Sequence, residues 1–174
     1  MVVSDYIAEW LVQKDCRHAF GIIGAGNAAM FDSISARGFT EIVCVHHEQA
    51  ATMAAQSYWR SSGRMAISLI TTGGGSANAV IGVVGAWMDS IPIVVISGNE
   101  ESKYCESNWR GWGVQGFDSV EMVKGVTKWA KRMRVSRQVR YLDEAYEAAF
   151  EGRPGPVWLD IPRDIQGHEI PTGS

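Results

Sequence analysis

Six apolar runs of strand length, Ala19–Ile23, Glu41–Val45, Met65–Ile70, Ile91–Ser97, Thr127–Arg132 and Pro156–Ile161, recur along the chain with helix-patterned segments between them. Several are nearly continuous in Val, Ile and Leu instead of alternating with polar residues, the pattern of strands covered by helices on both faces. The intervening helices fall at about Ser4–Lys14, Ala28–Arg37, Glu48–Ser62, Ser76–Met88, Ser119–Lys124 and Ser136–Phe150. Ser4 is placed as the cap of the first, and Gly38 and Gly63 lie just past the ends of the second and third, where a left-handed residue closes a helix. This alternation predicts an α/β fold: a doubly wound, mainly parallel six-stranded sheet with helices on both faces and its ligand edge at the strand C-termini.

The glycine-rich segments fall at that edge. Gly21-Ile22-Ile23-Gly24-Ala25-Gly26-Asn27 follows the first strand, Thr71-Thr72-Gly73-Gly74-Gly75-Ser76 the third and Gly98-Asn99 the fourth, while Glu48 follows the second. A glutamate in a first helical turn suits the helix dipole whatever else it does. At a sheet edge where neighbouring strand ends all carry close-approach loops, it is also the candidate chemical group. A long loop between Gly98 and Asp118 carries Tyr104, Trp109 and Trp112 among glycines. That much apolar surface asks for a packing partner, in this domain or another chain.

At 174 residues and 46% apolar content, residues 1–174 fit a single domain. A net charge of −3 gives no general pull toward nucleic acid or a membrane. Seven basic residues (Lys124, Lys128, Lys131, Arg132, Arg134, Arg137 and Arg140) are followed at once by Asp143, Glu144 and Glu147, and they read as a solvated face. Cys16, Cys44 and Cys105 are odd in number and lack metal-ligand spacing, so no disulfide framework or metal site is expected and a reducing compartment suits them. With no leader-like or bilayer-length apolar segment, the expected location is cytoplasmic.

Common motif chemistries fit poorly. The third glycine of a dinucleotide fingerprint would fall at Ala29, and the Thr71–Ser76 loop lacks the lysine of a phosphate-binding Walker loop. His18, His46, His47 and His168 are scattered and accompany no nucleophile elbow.

The order of motifs nevertheless resembles a known family. Phe20-Gly21-Ile22-Ile23-Gly24-Ala25-Gly26, His47-Glu48-Gln49-Ala50-Ala51-Thr52-Met53-Ala54, Thr71-Thr72-Gly73-Gly74-Gly75-Ser76-Ala77-Asn78 and Ala86-Trp87-Met88-Asp89-Ser90-Ile91-Pro92 are similar to the pyrimidine-binding domain of thiamine-diphosphate-dependent enzymes, in particular the acetolactate synthase and pyruvate oxidase group. Gly113-Val114-Gln115-Gly116-Phe117-Asp118, Thr127-Lys128 and Gly152–Asp164 extend the match over nearly the whole chain. The resemblance implies the thiamine-diphosphate-binding fold and gives Glu48 a role: a hydrogen bond to N1′ of the cofactor's aminopyrimidine, which favours the imino form whose N4′ takes the C2 proton. It implies that Gly24, Ala25 and Gly26 approach cofactor and substrate. It further places Thr72, Gly73 and Asn78 beside the pyrimidine pocket and Gln115 at the substrate side. The implied reaction is decarboxylation of a 2-oxo acid, with ligation of the product to an acceptor. A simple decarboxylase, or a non-catalytic structural or regulatory domain, is the alternative.

Departures bear on the substrate more than on the cofactor. Ile23 and Gly74 stand where the family usually has proline, and Gly116 where acetolactate synthases commonly have glutamate. The Gly-Asp-Gly and Asn-Asn motifs that hold magnesium (Mg2+) and the diphosphate in this family do not occur here. The resemblance therefore implies a partner subunit carrying the diphosphate domain, in a two-plus-two heterotetramer. An initiating Met1 and a tail that stops just after the last motif favour a split enzyme over a fragment of a longer chain.

Overall fold

The computed structural model describes residues 1–105 and 108–171. Its elements are α1 (Val3–Gln13), β1 (His18–Gly21), α2 (Ala28–Arg37), β2 (Glu41–Cys44), α3 (Glu48–Ser62), β3 (Ile67–Ile70), α4 (Gly74–Asp89), β4 (Val94–Asn99), α5 (Ser119–Val123), β5 (Trp129–Arg132), α6 (Tyr141–Phe150), β6 (Val157–Pro162) and α7 (Arg163–Gln166). The six strands form one sheet in the order β2-β1-β3-β4-β6-β5, and every pairing is parallel.

Strand residues alternate between two cores, as a period of two requires. Val94, Ile96, Val157, Leu159 and Ile161 join Ile7, Leu11, Met30, Ile34, Leu142 and Ala145 on the face covered by α1, α2 and α6. Val95, Ile70 and Trp158 join Ala51, Ala55, Ala79, Val83, Ala86 and Val123 on the face covered by α3, α4 and α5. Helices on both faces are what made the strand runs continuous rather than alternating.

On the second face α3 and α4 approach through small residues. A Cβ on Gly82 would stand 2.0 Å from Thr52 Oγ1. The gap is bridged by Thr52 Oγ1 donating to the Ala79 carbonyl at 3.2 Å and Gln56 Nε2 donating to the Gly82 carbonyl at 2.9 Å. Gly82→Val is therefore expected to push the helices apart and cost about 1–3 kcal/mol of stability, read from the urea midpoint. An unchanged midpoint would show that the pair separates freely.

Gly38 and Gly63 close α2 and α3 with φ of 68° each, as the sequence suggested. Three local expectations need correction. Ser4 does not cap α1: the helix starts at Val3 after Val2, with no side-chain cap, and Ser4 is buried in the first turn. The Val3 amide is instead satisfied by the His168 carbonyl at 3.1 Å, a tertiary contact that replaces the cap. The segment 136–150 is not one helix, since Ser136–Arg140 is a 3₁₀ turn broken at Gln138 (φ −85°, ψ 16°) before α6. Gln138 Oε1 accepts from the backbone N–H of Arg134 at 2.7 Å and of Val135 at 3.3 Å, holding the turn off the helix axis.

Third, the basic run is not wholly a solvated face. Arg132 is buried, its Nε donating to Asp160 Oδ2 at 2.7 Å and its Nη2 to Asp118 Oδ1 at 2.8 Å. Its guanidinium lies 4.4 Å from the ring centroid of buried Trp112, so one loop aromatic does pack inward, while Trp109 stays 70% exposed. Among the described residues no helix is long and apolar enough to cross a membrane, and no cluster of side chains could hold a metal ion.

Candidate functional site

The chain lays β1 beside β2 and then returns across β1 to lay down β3 on its other side. The exits of β1 and β3 thus flank the point where strand order reverses, where an open α/β sheet has its crevice. The β1 exit is shaped by Asn27, fully buried, which accepts from the Gly24 amide at 2.8 Å and donates to the Ile22 carbonyl at 3.1 Å. The loop then lies directly on the β3 exit: a Cβ on Gly24 would stand 2.4 Å from Thr71 Oγ1, and one on Gly26 2.0 Å from Thr72 Oγ1. Only glycine allows the two loops this approach.

Glu48 is the first residue of α3, entered from β2. His47 caps the helix, its Nδ1 accepting from the Gln49 amide at 3.2 Å. Glu48 is 8% exposed, and its carboxylate sits against the first turn of α4, where a Cβ on Gly75 would stand 3.0 Å from Oε1. Asn78 Nδ2, one turn further along α4, donates to Oε2 at 3.0 Å. Among the described residues this is the one side-chain donor hydrogen-bonded to the carboxylate. The N-terminus of α3 favours negative charge at that position.

The expected site residues other than Gly24, which lies against Thr71, fall with their neighbours into two adjoining groups on either side of the β3 exit turn. Glu48, Gly75 and Asn78 lie on one side. On the other, Ala25, Gly26, Thr71, Thr72, Glu100, Val114, Gln115 and Arg163 line a cleft of about 190 Å3. Glu48 and Asn78 are not in the wall of that cleft. Gly73 is the hinge between the groups, with φ of 69° and a position where a Cβ would meet the Gln115 carbonyl oxygen at 2.2 Å. Gln115 Nε2 donates to the Thr72 carbonyl at 3.1 Å, so the loop after β4 folds back on the β3 exit.

Residue reasoning passed over Glu100, Gly75 and Arg163. Glu100 directly follows the Gly98-Asn99 strand end, and that position was the available signal. The exit of β4 is tied to α7, because Ser102 donates to Asp164 from its amide at 2.8 Å and its hydroxyl at 2.5 Å. Burial pushes the Asp164 carboxyl upward, but these bonds hold it below the usual carboxylate range. Burial pushes the Cys16 and Cys105 thiols up to about 12, which leaves them inert, whereas Cys44 is exposed at the end of β2.

A family model described as thiamine pyrophosphate enzyme, N-terminal TPP binding domain, matches residues 1–122. The acetolactate synthase large subunit of Buchnera aphidicola subsp. Schizaphis graminum is 33% identical over 166 residues, which is 93% of this chain and 28% of that protein. The Lactococcus lactis subsp. lactis large subunit is 30% identical over 96% of this chain and 28% of its own length. The acetolactate synthase isozyme 3 large subunit of Escherichia coli is 31% identical over 93% of this chain, again 28% of its own length. The chain spans about a quarter of the length of the relatives it matches.

Proposed function

Because the chain belongs to the thiamine pyrophosphate enzymes, as their N-terminal TPP binding domain, we propose that residues 1–174 are a single domain supplying the pyrimidine half of an active site completed by a diphosphate domain. The observation that carries this reading is Glu48: a buried carboxylate at the entry to α3, held by Asn78 through Oε2 with Oε1 against Gly75. A secluded carboxylate of this kind suits hydrogen bonding to a ring nitrogen without competition from water.

When bound, thiamine diphosphate supplies a carbon nucleophile and an electron sink for decarboxylating a 2-oxo acid. Glu48 would hydrogen-bond and share a proton with the pyrimidine ring nitrogen, and Asn78 would keep the carboxylate in the orientation for it. Gly73 and Gly75 would let the backbone of the β3 exit and α4 come close to the ring, with Thr72 alongside. Ala25 and Gly26 wall the cleft in which the substrate would lie, Gly24 lets their loop close on Thr71, and Gln115 faces the cleft from the opposite loop. Magnesium and the diphosphate are held by the partner's Gly-Asp-Gly and Asn-Asn segments. We take the assembly to be a cytoplasmic two-plus-two heterotetramer. The similarity to acetolactate synthase large subunits favours transfer of the decarboxylated fragment to an acceptor over simple release.

The test is reconstitution with a diphosphate-domain partner, thiamine diphosphate and magnesium. Carbon dioxide release from pyruvate or another 2-oxo acid is expected, and product analysis with one and two 2-oxo acids separates ligation from simple decarboxylation. A formed complex that turns over no 2-oxo acid would overturn the reading.

A further inference from the structure

Glu100 stands at the exit of β4, 7% exposed, with its side chain in the wall of the cleft. Its direction is fixed at the root, where its own amide donates to Asn99 Oδ1 at 2.9 Å. Its Oε1 accepts the backbone N–H groups of Val114, at 3.2 Å, and of Gln115, at 3.4 Å. The segment that offers these amides is a small closed hairpin in which Trp112 and Gly116 exchange N–H···O bonds of 2.8 Å each. Both glycines of that hairpin lie against the glutamate. A Cβ on Gly113 would stand 2.6 Å from the carboxyl carbon of Glu100, and one on Gly116 2.6 Å from its Cγ. Gly113 also has a φ of 56°.

Gln115 is the residue this arrangement fixes. Its backbone carbonyl fills the space over Gly73 and its side chain donates to the Thr72 carbonyl. We propose that Glu100 is a positioning residue, whose carboxylate acts through the main chain of residues 114 and 115 to hold Gln115 against the Thr72–Gly73 turn, and so sets the shape of the substrate side of the cleft. The proposal rests on the functional reading above for the word substrate. The hold itself is a property of this chain alone.

The role requires an acceptor oxygen, not a charge, because both bonds are made to one oxygen atom. Glu100→Gln keeps such an oxygen and Glu100→Ala does not. Trypsin cleavage after Arg110, exposed at the near end of the hairpin, reports opening of the segment, since proteolysis tracks the population of the open form. Glu100→Ala is expected to raise the rate of that cut roughly tenfold or more, with Glu100→Gln close to the native rate. In the reconstituted complex, kcat/KM for the 2-oxo acid should fall in Glu100→Ala and recover in Glu100→Gln, with cofactor affinity unmoved in both.

An Arg110 cut no faster in Glu100→Ala than in the native chain would overturn the hold, whatever the activity. Faster cutting at every Lys and Arg together would also overturn it, as global unfolding. Faster local cutting with unchanged kcat/KM would overturn the substrate-side role. A native complex without any turnover would instead overturn the functional reading, while the cleavage series still decides whether Glu100 holds the hairpin.

Discussion

Glu48→Gln is expected to lower carbon dioxide release from a 2-oxo acid by about 10²–10⁴-fold in the complex with the diphosphate domain, the range that a positioned proton-exchanging group contributes. The replacement is nearly isosteric, and its amide still offers an oxygen to Asn78 Nδ2, now 3.0 Å from the carboxylate. The fold and the affinity for the cofactor should therefore change little. What is lost is the capacity to exchange a proton at the ring nitrogen. Turnover and cofactor binding, measured on the same preparation, separate these effects. Equal turnover in Glu48→Gln and native complexes would remove the catalytic assignment and leave a structural domain as the better reading.

Arg132→Leu should be the most destabilising single replacement considered, at about 3–5 kcal/mol, because it strands a buried charge. Asp160 is wholly inaccessible to solvent, and its Oδ2 accepts from Asn99 Nδ2 at 2.9 Å as well as from Arg132. Burial pushes the Asp160 carboxyl above its ordinary value, and Arg132 and Asn99 pull it the other way, so losing the arginine removes the main counterweight to burial. The same guanidinium also ties down Asp118, the Cys105 carbonyl and the Trp112 ring. Urea unfolding measures the loss. Combining Arg132→Leu with Asp160→Asn should recover much of it, since the pair's cost lies in leaving one member alone. The exposed Lys124–Glu121 pair is the control, and Lys124→Ala should change stability by at most about 1 kcal/mol. A loss as small for Arg132→Leu would mean that water reaches Asp160.

The sheet and its edge were legible because their signals are local. Continuous Val-Ile-Leu runs marked the strands, and glycine or a carboxylate at neighbouring strand ends marked the crevice. The left-handed closures at Gly38 and Gly63 were legible for the same reason. Features that depend on distant partners were not. Ser4 has the residue type of a cap, yet its helix is finished by a carbonyl from His168. Arg132 looked like one cation among seven, and only the pairing of β5 with β6 sets it beside Asp160. Glu100 receives its two amides from residues 14 and 15 positions further on, across a loop whose conformation no pattern in the sequence specifies. Glu48 itself was visible at the helix entry. Its separation from the Gln115 cleft by the β3 exit turn was not, because that depends on how closely Gly24 and Gly26 let two loops approach.

The order of the strands has a consequence for behaviour at high concentration. The sheet ends on β2 and β5, both of four residues, and each margin carries charge, Glu41 on one and Lys131 on the other. Short, charged margins offer a neighbouring molecule little backbone to zip onto. Growth of the sheet from copy to copy is blunted at both rims.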